Sequence, residues 1–285
     1  MDLNVQRAKV LAKLPDFDSR GFGLGAVPLA YTLFDQQIAF LSEIQKQLKA
    51  GLPSAFSLSN FIDDVYNQGS LPSCVAHSTA AMQSIFERIE HGAWFTLNAE
   101  ECYRANGGDG HNGVNSRVVL NWEETSGMQD IASSVRYKIG SFAVADPKTS
   151  DGITLIKAAI ATRRPCVLAL LLPQDFWIGD STGEVVTNGY HQICVTGYTS
   201  ERFEFVNSWG RSFGNNSERN NGLGTIPWAF IGGTEVPGRV FQVLLMISEL
   251  EPMVQYGLLA QMKQMRVMVF IDGTEMTGMD ILVLL

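Results

Sequence analysis

Three polar residues of the chain have the types and surroundings that nucleophilic catalysis requires. Cys74 follows Pro72 and Ser73 at the start of a predicted helix. Free backbone N–H groups at a helix N-terminus favour a thiolate, which is the nucleophilic form of cysteine. A thiolate needs a base, and the base needs a group that orients it. His191 and Asn207, further along the chain, are the candidates for these two tasks.

His191 and Asn207 lie on neighbouring strands of a predicted β-hairpin. The pattern places His191 at the beginning of one strand and Asn207 at the end of the next. A hairpin brings such positions side by side, so we expect the Asn207 amide oxygen to hold the imidazole. A single free Cys is usually an inert buried hydrophobe, and a single His is usually structural. The combination of the three residues therefore carries the prediction of a catalytic site.

Three motifs around these residues resemble those of the papain-like cysteine peptidases, clan CA, family C1. The family pattern at the nucleophile is N-Q-G-x-C-G-S-C-W, and residues 67–75 are N-Q-G-S-L-P-S-C-V. The His motif G-H-A-V-x-x-x-G-Y corresponds to Y-H-Q-I-C-V-T-G-Y at residues 190–198. The Asn motif N-S-W-G-x-x-W-G corresponds to N-S-W-G-R-S-F-G at residues 207–214. The resemblance extends over residues 52–247 and does not include 1–51 or 251–285.

The resemblance implies a role for each matched residue. Cys74 corresponds to the nucleophile, and His191 corresponds to the general base that later acts as general acid. Asn207 corresponds to the residue that orients His191. Gln68 corresponds to the side-chain donor of the oxyanion hole, together with the backbone N–H of Cys74. Trp209 corresponds to the Trp that shields the His–Asn hydrogen bond from water. Together these residues provide a nucleophile, an oriented base and donors for the oxyanion, which is a chemically consistent set.

The resemblance also implies a substrate-binding surface. Residues 110–113, Gly-His-Asn-Gly, resemble the first four residues of the family's G-C-N-G-G. In the family, the last Gly of this motif lines the cleft and its backbone pairs with substrate. Val114 stands at that position, and its side chain is expected to narrow or redirect the subsites. The residues expected to bind substrate are Asn112, Gly113, Val114, Gly189 and Tyr190.

The cysteines depart from the family pattern in a coordinated way. The family joins the Cys three residues before the nucleophile to the Cys of G-C-N-G-G, and here these positions are Leu71 and His111. Since both halves of this disulfide are missing, we expect either that the chain folds in a reducing compartment or that its lineage never had the bridge. Cys166 and Cys194 lie in apolar runs and are predicted to be buried free thiols. This compact, disulfide-poor form resembles bacterial members of the family.

Hydrophobic periodicity predicts helices in the first part of the chain and strands in the second, which is an α+β arrangement. The predicted helices are 32–50, 72–91, 116–125 and 152–162. The predicted strands are 166–172, 192–198, 202–207 and 239–247. The resemblance implies the papain-like two-lobed fold, with a helical N-terminal lobe, an antiparallel β-barrel-like C-terminal lobe and the active site between them.

The sequence indicates a papain-like peptidase domain at 52–250, with its helical lobe at about 52–150 and its β lobe at about 151–250. Residues 1–51 form an N-terminal extension in the place of a propeptide. The amphipathic helix in this extension either covers the cleft as an inhibitory segment or is a permanent part of the fold.

The C-terminal segment, residues 251–285, holds six of the ten Met residues. Its pattern predicts a helix at 254–265 and strands at 267–271 and 281–285. Met-rich apolar surfaces suit adaptable contacts. The segment is therefore interpreted as a small subdomain packed on the body, as an oligomer or partner interface, or as the remnant of a longer polypeptide.

Composition excludes several other classes of protein. The chain has 285 residues, 46% hydrophobic and 18% charged, with a net charge of −8. These values do not suit a disordered chain or the basic footprint of a nucleic-acid binder. No apolar run is long enough to span a membrane, no His or Cys pair has zinc-ligand spacing, and no cofactor is expected. The N-terminus lacks an apolar signal core, so we expect a cytoplasmic protein, with leaderless secretion as an effector left open.

Three functions are compatible with this sequence. The first is hydrolysis of peptide bonds in a peptide or protein substrate through a Cys74 thioester. The second is an acyl transferase or deamidase of the same fold that acts on glutamine or peptide amides, because an amine can intercept a thioester. The third is an inactive pseudopeptidase that binds peptides. The presence of all four polar catalytic residues favours an active thiol-dependent hydrolase; they are Gln68, Cys74, His191 and Asn207.

Overall fold

The computed structural model describes residues 23–27, 42–145, 151–173, 176, 186–214, 221–232, 240–247, 270–271 and 274–275. The chain divides into two units, Met1–Leu250 and Glu251–Leu285. All the residues that the sequence assigns to the site lie in the first unit.

The helices of the first unit agree with the periodicity of the sequence. The helices predicted at 72–91, 116–125 and 152–162 are confirmed, each within two residues at either end. The last nine residues of the helix predicted at 32–50 are helical, and residues 32–41 lie outside the described residues. The helices are α1 (Ser42–Ala50), α2 (Cys74–His91), α3 (Ala99–Ala105), α4 (Ser116–Thr125), α5 (Gly152–Ala161) and α6 (Trp228–Gly232).

Helix α2 carries the candidate nucleophile as its first residue and is almost entirely buried. Its first fourteen residues, from Cys74 to Glu87, are all buried, including the small residues Ala76, Ser78 and Ala80. Small side chains allow the close approach of neighbouring elements, and α2 packs against α3, α4 and two strands of the sheet. Gly92 ends the helix in the left-handed conformation at φ 73°, and its N–H donates to the Arg88 carbonyl.

The strands form one large sheet and several short pairs. Six strands make up the main body of this sheet, and each pairs antiparallel with its neighbours. The strands of the first unit are β1 (Ala26–Val27), β2 (Phe56–Ser57), β3 (Val114–Asn115), β4 (Met128–Gln129), β5 (Arg136–Tyr137), β6 (Ser141–Ala145), β7 (Cys166–Pro173), β8 (Val186–Tyr198), β9 (Arg202–Val206), β10 (Leu223–Pro227) and β11 (Val240–Ile247).

The main sheet has the strand order β10-β9-β8-β7-β11-β6, and β2 pairs with β8. The sheet follows a largely helical first half, which confirms the α+β class and the β-barrel-like second lobe. Two strands of the six in this order, β6 and β10, were not predicted from the sequence. Ser141–Ala145, inside the predicted helical lobe, forms β6 and pairs with β11. Its partner lies about a hundred residues further on, and local periodicity does not reveal such a long-range pairing.

The N-terminal helix contributes to the core of the first unit. Helix α1 packs against α5, and Ile44 is fully buried in the same apolar cluster as Ile156 and Leu168. This packing agrees with the interpretation of the helix as a part of the fold.

The second unit, Glu251–Leu285, has only four described residues. Phe270–Ile271 (β12) pairs antiparallel with Thr274–Glu275 (β13). The strand predicted at 281–285 and the helix predicted at 254–265 lie outside the described residues.

Two further findings concern the described residues as a whole. No helix among them combines the length and apolarity needed to cross a membrane. No group of three or more His, Cys, Asp or Glu side chains within them is arranged to hold a metal ion.

A carboxylic acid is buried on α4, away from the candidate site. Glu123 is fully buried, and neither of its carboxylate oxygens has a hydrogen-bond partner among the described residues. Burial raises the pKa of Glu123 well above its usual value, so the folded chain holds this group protonated. The nearby Cys102 thiol also has a raised pKa, mainly through burial and secondly through Glu123.

Replacing Glu123 by Met is expected to stabilise the fold at neutral and alkaline pH. The unfolded chain ionises this residue above about pH 4.3, whereas the folded chain keeps the proton, so stability falls as the pH rises through this range. Glu123→Met removes this loss and is expected to add about 1–3 kcal/mol at pH 8. Urea unfolding from pH 5 to pH 8 measures the effect, with Glu90→Met at an exposed position of α2 as control. Parallel stability curves for the parent and Glu123→Met would contradict the burial of an uncharged acid.

Candidate active site

The candidate nucleophile lies at the junction of the two lobes. Cys74 is the first residue of α2, where helical backbone N–H groups have no partner within the helix. Its side chain is completely buried, and its thiol accepts hydrogen bonds from the backbone N–H groups of Gln192 and Val75. Gln192 follows His191 on β8, so the Cys74 thiol lies against the part of this strand that carries the His191 imidazole.

The imidazole of His191 is held by Asn207. His191 Nε2 lies 2.7 Å from Asn207 Oδ1, and the backbone N–H of Ser208 donates to the same Oδ1 at 2.8 Å. An amide oxygen only accepts, so His191 Nε2 carries the proton and Nδ1 is the basic nitrogen. His191 Nδ1 has no hydrogen-bond partner among the described residues. His191 is the sixth residue of β8 rather than its first, because the strand starts earlier than the sequence predicted.

Aromatic rings surround the His191–Asn207 pair. The Trp209 ring lies 4.6 Å from the His191 ring, and the Phe176 ring lies 5.9 Å from it in an edge-on arrangement. Phe205 and Phe213 pack on Phe176. Burial in this apolar surround lowers the pKa of His191 to about 4, although the hydrogen bond with Asn207 acts in the opposite direction.

Gln68 is held with its amide nitrogen directed along the cleft. Its side-chain oxygen accepts a 2.6 Å hydrogen bond from the Ser208 hydroxyl, and its backbone N–H donates to the Ser208 carbonyl at 2.8 Å. The neighbouring Asn67 forms a β-bridge with Trp209. These contacts fix the rotamer of Gln68. Its Nε2 donates one hydrogen bond to the Leu71 carbonyl at 2.8 Å, which leaves the second N–H for an oxygen in the cleft.

A segment of the chain's own N-terminal region occupies this cleft. Residues 23–27, which we call the cover segment, lie across the site. The Gly23 carbonyl accepts a 2.7 Å hydrogen bond from Gln68 Nε2, and the backbone N–H of Gly25 donates to the Cys74 thiol. Ala26 and Val27 then form β1, which pairs parallel with β3. The two groups assigned to nucleophile and oxyanion hole are therefore both engaged by peptide main chain.

Only glycine fits two positions of the cover segment. A Cβ atom on Gly25 would lie 2.0 Å from the Pro72 carbonyl oxygen, and one on Gly23 would lie 2.2 Å from the Leu71 carbonyl oxygen. On the opposite wall, a Cβ on Gly113 would lie 1.7 Å from the Gly25 carbonyl oxygen. Backbone contacts this close leave no space for a methyl group on either side of the cleft.

Burial reverses the ionisation expected for Cys74. The sequence predicts a thiolate at the helix N-terminus, but burial raises the pKa of the Cys74 thiol to about 11. Backbone N–H groups of Gln192, Gly25 and Val75 lower this pKa, and the loss of water outweighs them. With His191 also uncharged at neutral pH, the covered site holds a neutral thiol and a neutral imidazole.

Comparisons with known proteins identify the fold. No protein-family model and no curated protein match the sequence. Among solved structures, xylellain, a cysteine protease from Xylella fastidiosa, matches with a TM-score of 0.63 at 19% identity, covering 80% of this chain and 97% of that one. Procathepsin B from Trypanosoma congolense matches with a TM-score of 0.63 at 13% identity, covering 87% and 99%. The chain has the papain-like fold.

A third match has an inhibitor bound. The cysteine protease CMS1MS2 from Carica candamarcensis, solved in complex with E-64, matches with a TM-score of 0.56 at 17% identity. The match covers 69% of this chain and 99% of that one. These low identities establish the architecture that the sequence motifs predicted, while the roles of individual residues rest on the local geometry.

Within the papain-like fold, the predicted substrate-binding residues divide into two groups. Gly113 and Val114 lie against the cover segment, Gly113 beside Gly25 and Val114 paired with Ala26. Asn112 lies in an adjoining exposed loop, where its side chain donates to Asp109. From the other lobe come Gly189 and the half-buried Tyr190, on β8 just before His191; Tyr190 packs on the apolar cluster that contains Cys74. The Val114 side chain is 4% exposed and belongs to this cluster, so it is part of the wall rather than an obstruction in the cleft.

Four residues that contribute to the site were missed by the sequence analysis. Ser208 fixes Gln68, and its position inside the Asn-Ser-Trp-Gly motif was an available signal. Gly23 and Gly25 belong to a Gly-rich stretch without hydrophobic periodicity, which offers no signal for a contact with the cleft. Gln192 belongs to the His motif, but its partners lie on two helices distant in sequence.

Proposed function

We propose that the chain is a thiol-dependent peptidase that hydrolyses peptide bonds through a thioester on Cys74, and that the cover segment holds it in a latent form. The observation that carries this proposal is the binding of peptide main chain by the site itself. Gln68 Nε2 binds the Gly23 carbonyl, and the Cys74 thiol binds the Gly25 N–H. A groove that recognises backbone carbonyl and N–H groups suits a peptide substrate.

In the proposed reaction, His191 Nδ1 takes the proton of Cys74, and the thiolate attacks the carbonyl carbon of a substrate peptide bond. Gln68 Nε2 and the backbone N–H of Cys74 stabilise the oxyanion. His191 then gives the proton to the leaving amine, which leaves a thioester between the substrate acyl group and Cys74. Water activated by His191 hydrolyses the thioester and restores the thiol. Asn207 keeps Nε2 protonated throughout, so that Nδ1 is the nitrogen that moves protons.

The register of the cover segment explains why the chain would not cleave itself there. The carbonyl on Gln68 belongs to the peptide group between Gly23 and Leu24, whereas the N–H on the thiol belongs to the group between Leu24 and Gly25. Attack requires the carbonyl carbon of the bound peptide group at the sulfur. The segment therefore occupies the site with the wrong atom facing the nucleophile.

The test is hydrolysis of a denatured protein by chain whose cover has been displaced with Gly25→Ala. We expect new peptides, identified by mass spectrometry, that are absent when Cys74→Ser is added to the same chain. Product masses recorded with and without an added amine separate a hydrolase from an acyl transferase, because a transferase would give amine adducts. A folded Gly25→Ala protein that yields the same products as its Cys74→Ser form would overturn the proposal and favour a peptide-binding protein.

A further inference from the structure

Gln192 connects the strand of the base with the helix of the nucleophile. It follows His191 on β8, and because neighbouring side chains of a strand point to opposite faces, its amide enters the other side of the sheet. The side chain is fully buried. Gln192 stands at the position where the family's His motif has a small Ala, so its amide group is a feature of this chain.

The Gln192 side chain makes hydrogen bonds to two helices. Its Oε1 accepts from the Ser116 hydroxyl at the start of α4. Its Nε2 donates to the Ser78 hydroxyl on α2 at 2.9 Å, with longer contacts of 3.3 Å to Thr79 Oγ1 and 3.4 Å to the Val75 carbonyl. A buried amide with partners at both ends holds its neighbours in one arrangement.

These contacts continue to the nucleophile. The Ser78 hydroxyl that accepts from Gln192 donates in turn to the Cys74 carbonyl at 2.7 Å. The backbone N–H of Gln192 donates to the Cys74 thiol. Gln192 thus reaches Cys74 by two routes, one through its side chain and Ser78 and one directly from its main chain.

We propose that Gln192 is a positioning residue that sets the separation between Cys74 on α2 and His191 on β8 and directs its own backbone N–H at the Cys74 sulfur. This inference rests on the proposed function and deepens it. Proton transfer and attack both depend on distances held to within about half an ångström. An N–H that points at the sulfur favours the thiolate over the thiol, because hydrogen bonds to an anion are stronger than those to a neutral group.

The chain offers a matched control for a test of this role. Gln83 lies on α2, is also a buried Gln at 1% exposure, and donates from Nε2 to the Tyr137 carbonyl at 3.0 Å, away from the cleft. Replacement by Met removes the amide from either residue with little change in volume. Gln83→Met should cost less stability than Gln192→Met, because Gln83 Oε1 has no partner among the described residues whereas both ends of the Gln192 amide are bonded. The control therefore tests the connection to Cys74, and thermal unfolding accounts for the difference in stability.

The experiment compares the two variants in the Gly25→Ala chain. For Gln192→Met we expect kcat to fall about 10- to 100-fold with KM changed less than about threefold, and the pH profile of Cys74 alkylation by iodoacetamide to move to higher pH. Gln83→Met is expected to leave both quantities within about twofold. Thermal unfolding confirms that both variants are folded.

The outcomes separate this inference from the proposed function. A shifted alkylation profile in Gln192→Met, with no peptide hydrolysis by the Gly25→Ala chain itself, would support the positioning role and overturn the peptidase. Peptide hydrolysis by the Gly25→Ala chain that neither Gln192→Met nor Gln83→Met reduces would overturn the positioning role and leave the peptidase standing. If Gln192→Met does not fold, Ser78→Ala, which breaks the side-chain route to the Cys74 carbonyl, replaces it with the same expected direction.

Discussion

Gly25→Ala is expected to raise the rate of Cys74 alkylation by iodoacetamide at pH 7.5 about 10²- to 10³-fold. In the covered site the pKa of Cys74 is about 11, so only a small fraction of the thiol is ionised. A Cβ on Gly25 would lie 2.0 Å from the Pro72 carbonyl oxygen. Because this oxygen belongs to the backbone and cannot move aside, the cover segment must leave the cleft. Water then enters, and the helix N-terminus and the Gln192 N–H lower the pKa of Cys74 to its ordinary value of about 8.5 or below.

Two companion variants make this test specific. Gly23→Ala, whose Cβ would meet the Leu71 carbonyl oxygen at 2.2 Å, is expected to act in the same direction. Val27→Ala changes an exposed side chain of the same segment and is expected to leave the alkylation rate within about twofold. Equal alkylation rates in Gly25→Ala, Gly23→Ala and the parent would mean that the cover segment does not control the thiol.

His191→Ala is expected to reduce kcat for peptide hydrolysis about 10³- to 10⁴-fold in the Gly25→Ala chain. The loss arises because His191 is the base that takes the Cys74 proton and protonates the leaving amine in the proposed reaction. The measurement is steady-state hydrolysis of a peptide that the Gly25→Ala chain cleaves, with thermal unfolding to verify the fold.

A control variant removes a histidine from the same molecule without touching the site. His91 is exposed at the end of α2, where it pairs with Glu87, and His91→Ala is expected to leave kcat within about twofold. Retention of more than a tenth of the activity by His191→Ala would contradict its role as base. Loss of activity in His91→Ala as well would indicate a general effect on folding.

The site could be predicted from the sequence wherever chemistry and short-range pattern coincide. Cys74 begins a helix whose start is predicted by Pro72 and whose end is predicted by Gly92. Asn207 contacts His191 because two adjacent strands form a hairpin. Each of these inferences needs only local periodicity and a single turn. The α+β class followed in the same way, because the hydrophobic periodicity changes from that of helices to that of strands after Pro165.

The parts that could not be predicted depend on contacts between distant segments. Gly23 and Gly25 reach the cleft from a short stretch without periodicity, and their fit depends on carbonyl oxygens of Leu71 and Pro72. The sequence analysis predicted a thiolate at Cys74, whereas burial raises the pKa of this thiol. A helix N-terminus lowers the pKa of a thiol only when water also reaches it. Strand β6, which pairs with β11 in the final part of the sheet, was missed for a similar reason.

The central claim is that Cys74 is a peptidase nucleophile covered by residues 23–27. The most direct measurement is mass spectrometry of the parent and Gly25→Ala chains after reaction with the epoxide inhibitor E-64 under reducing conditions. The account predicts one adduct, on Cys74, formed far faster in Gly25→Ala than in the parent and lost in Gly25→Ala with His191→Ala. The other three cysteines, Cys102, Cys166 and Cys194, are buried free thiols and should stay unlabelled. A folded Gly25→Ala chain in which Cys74 remains unlabelled would contradict the account.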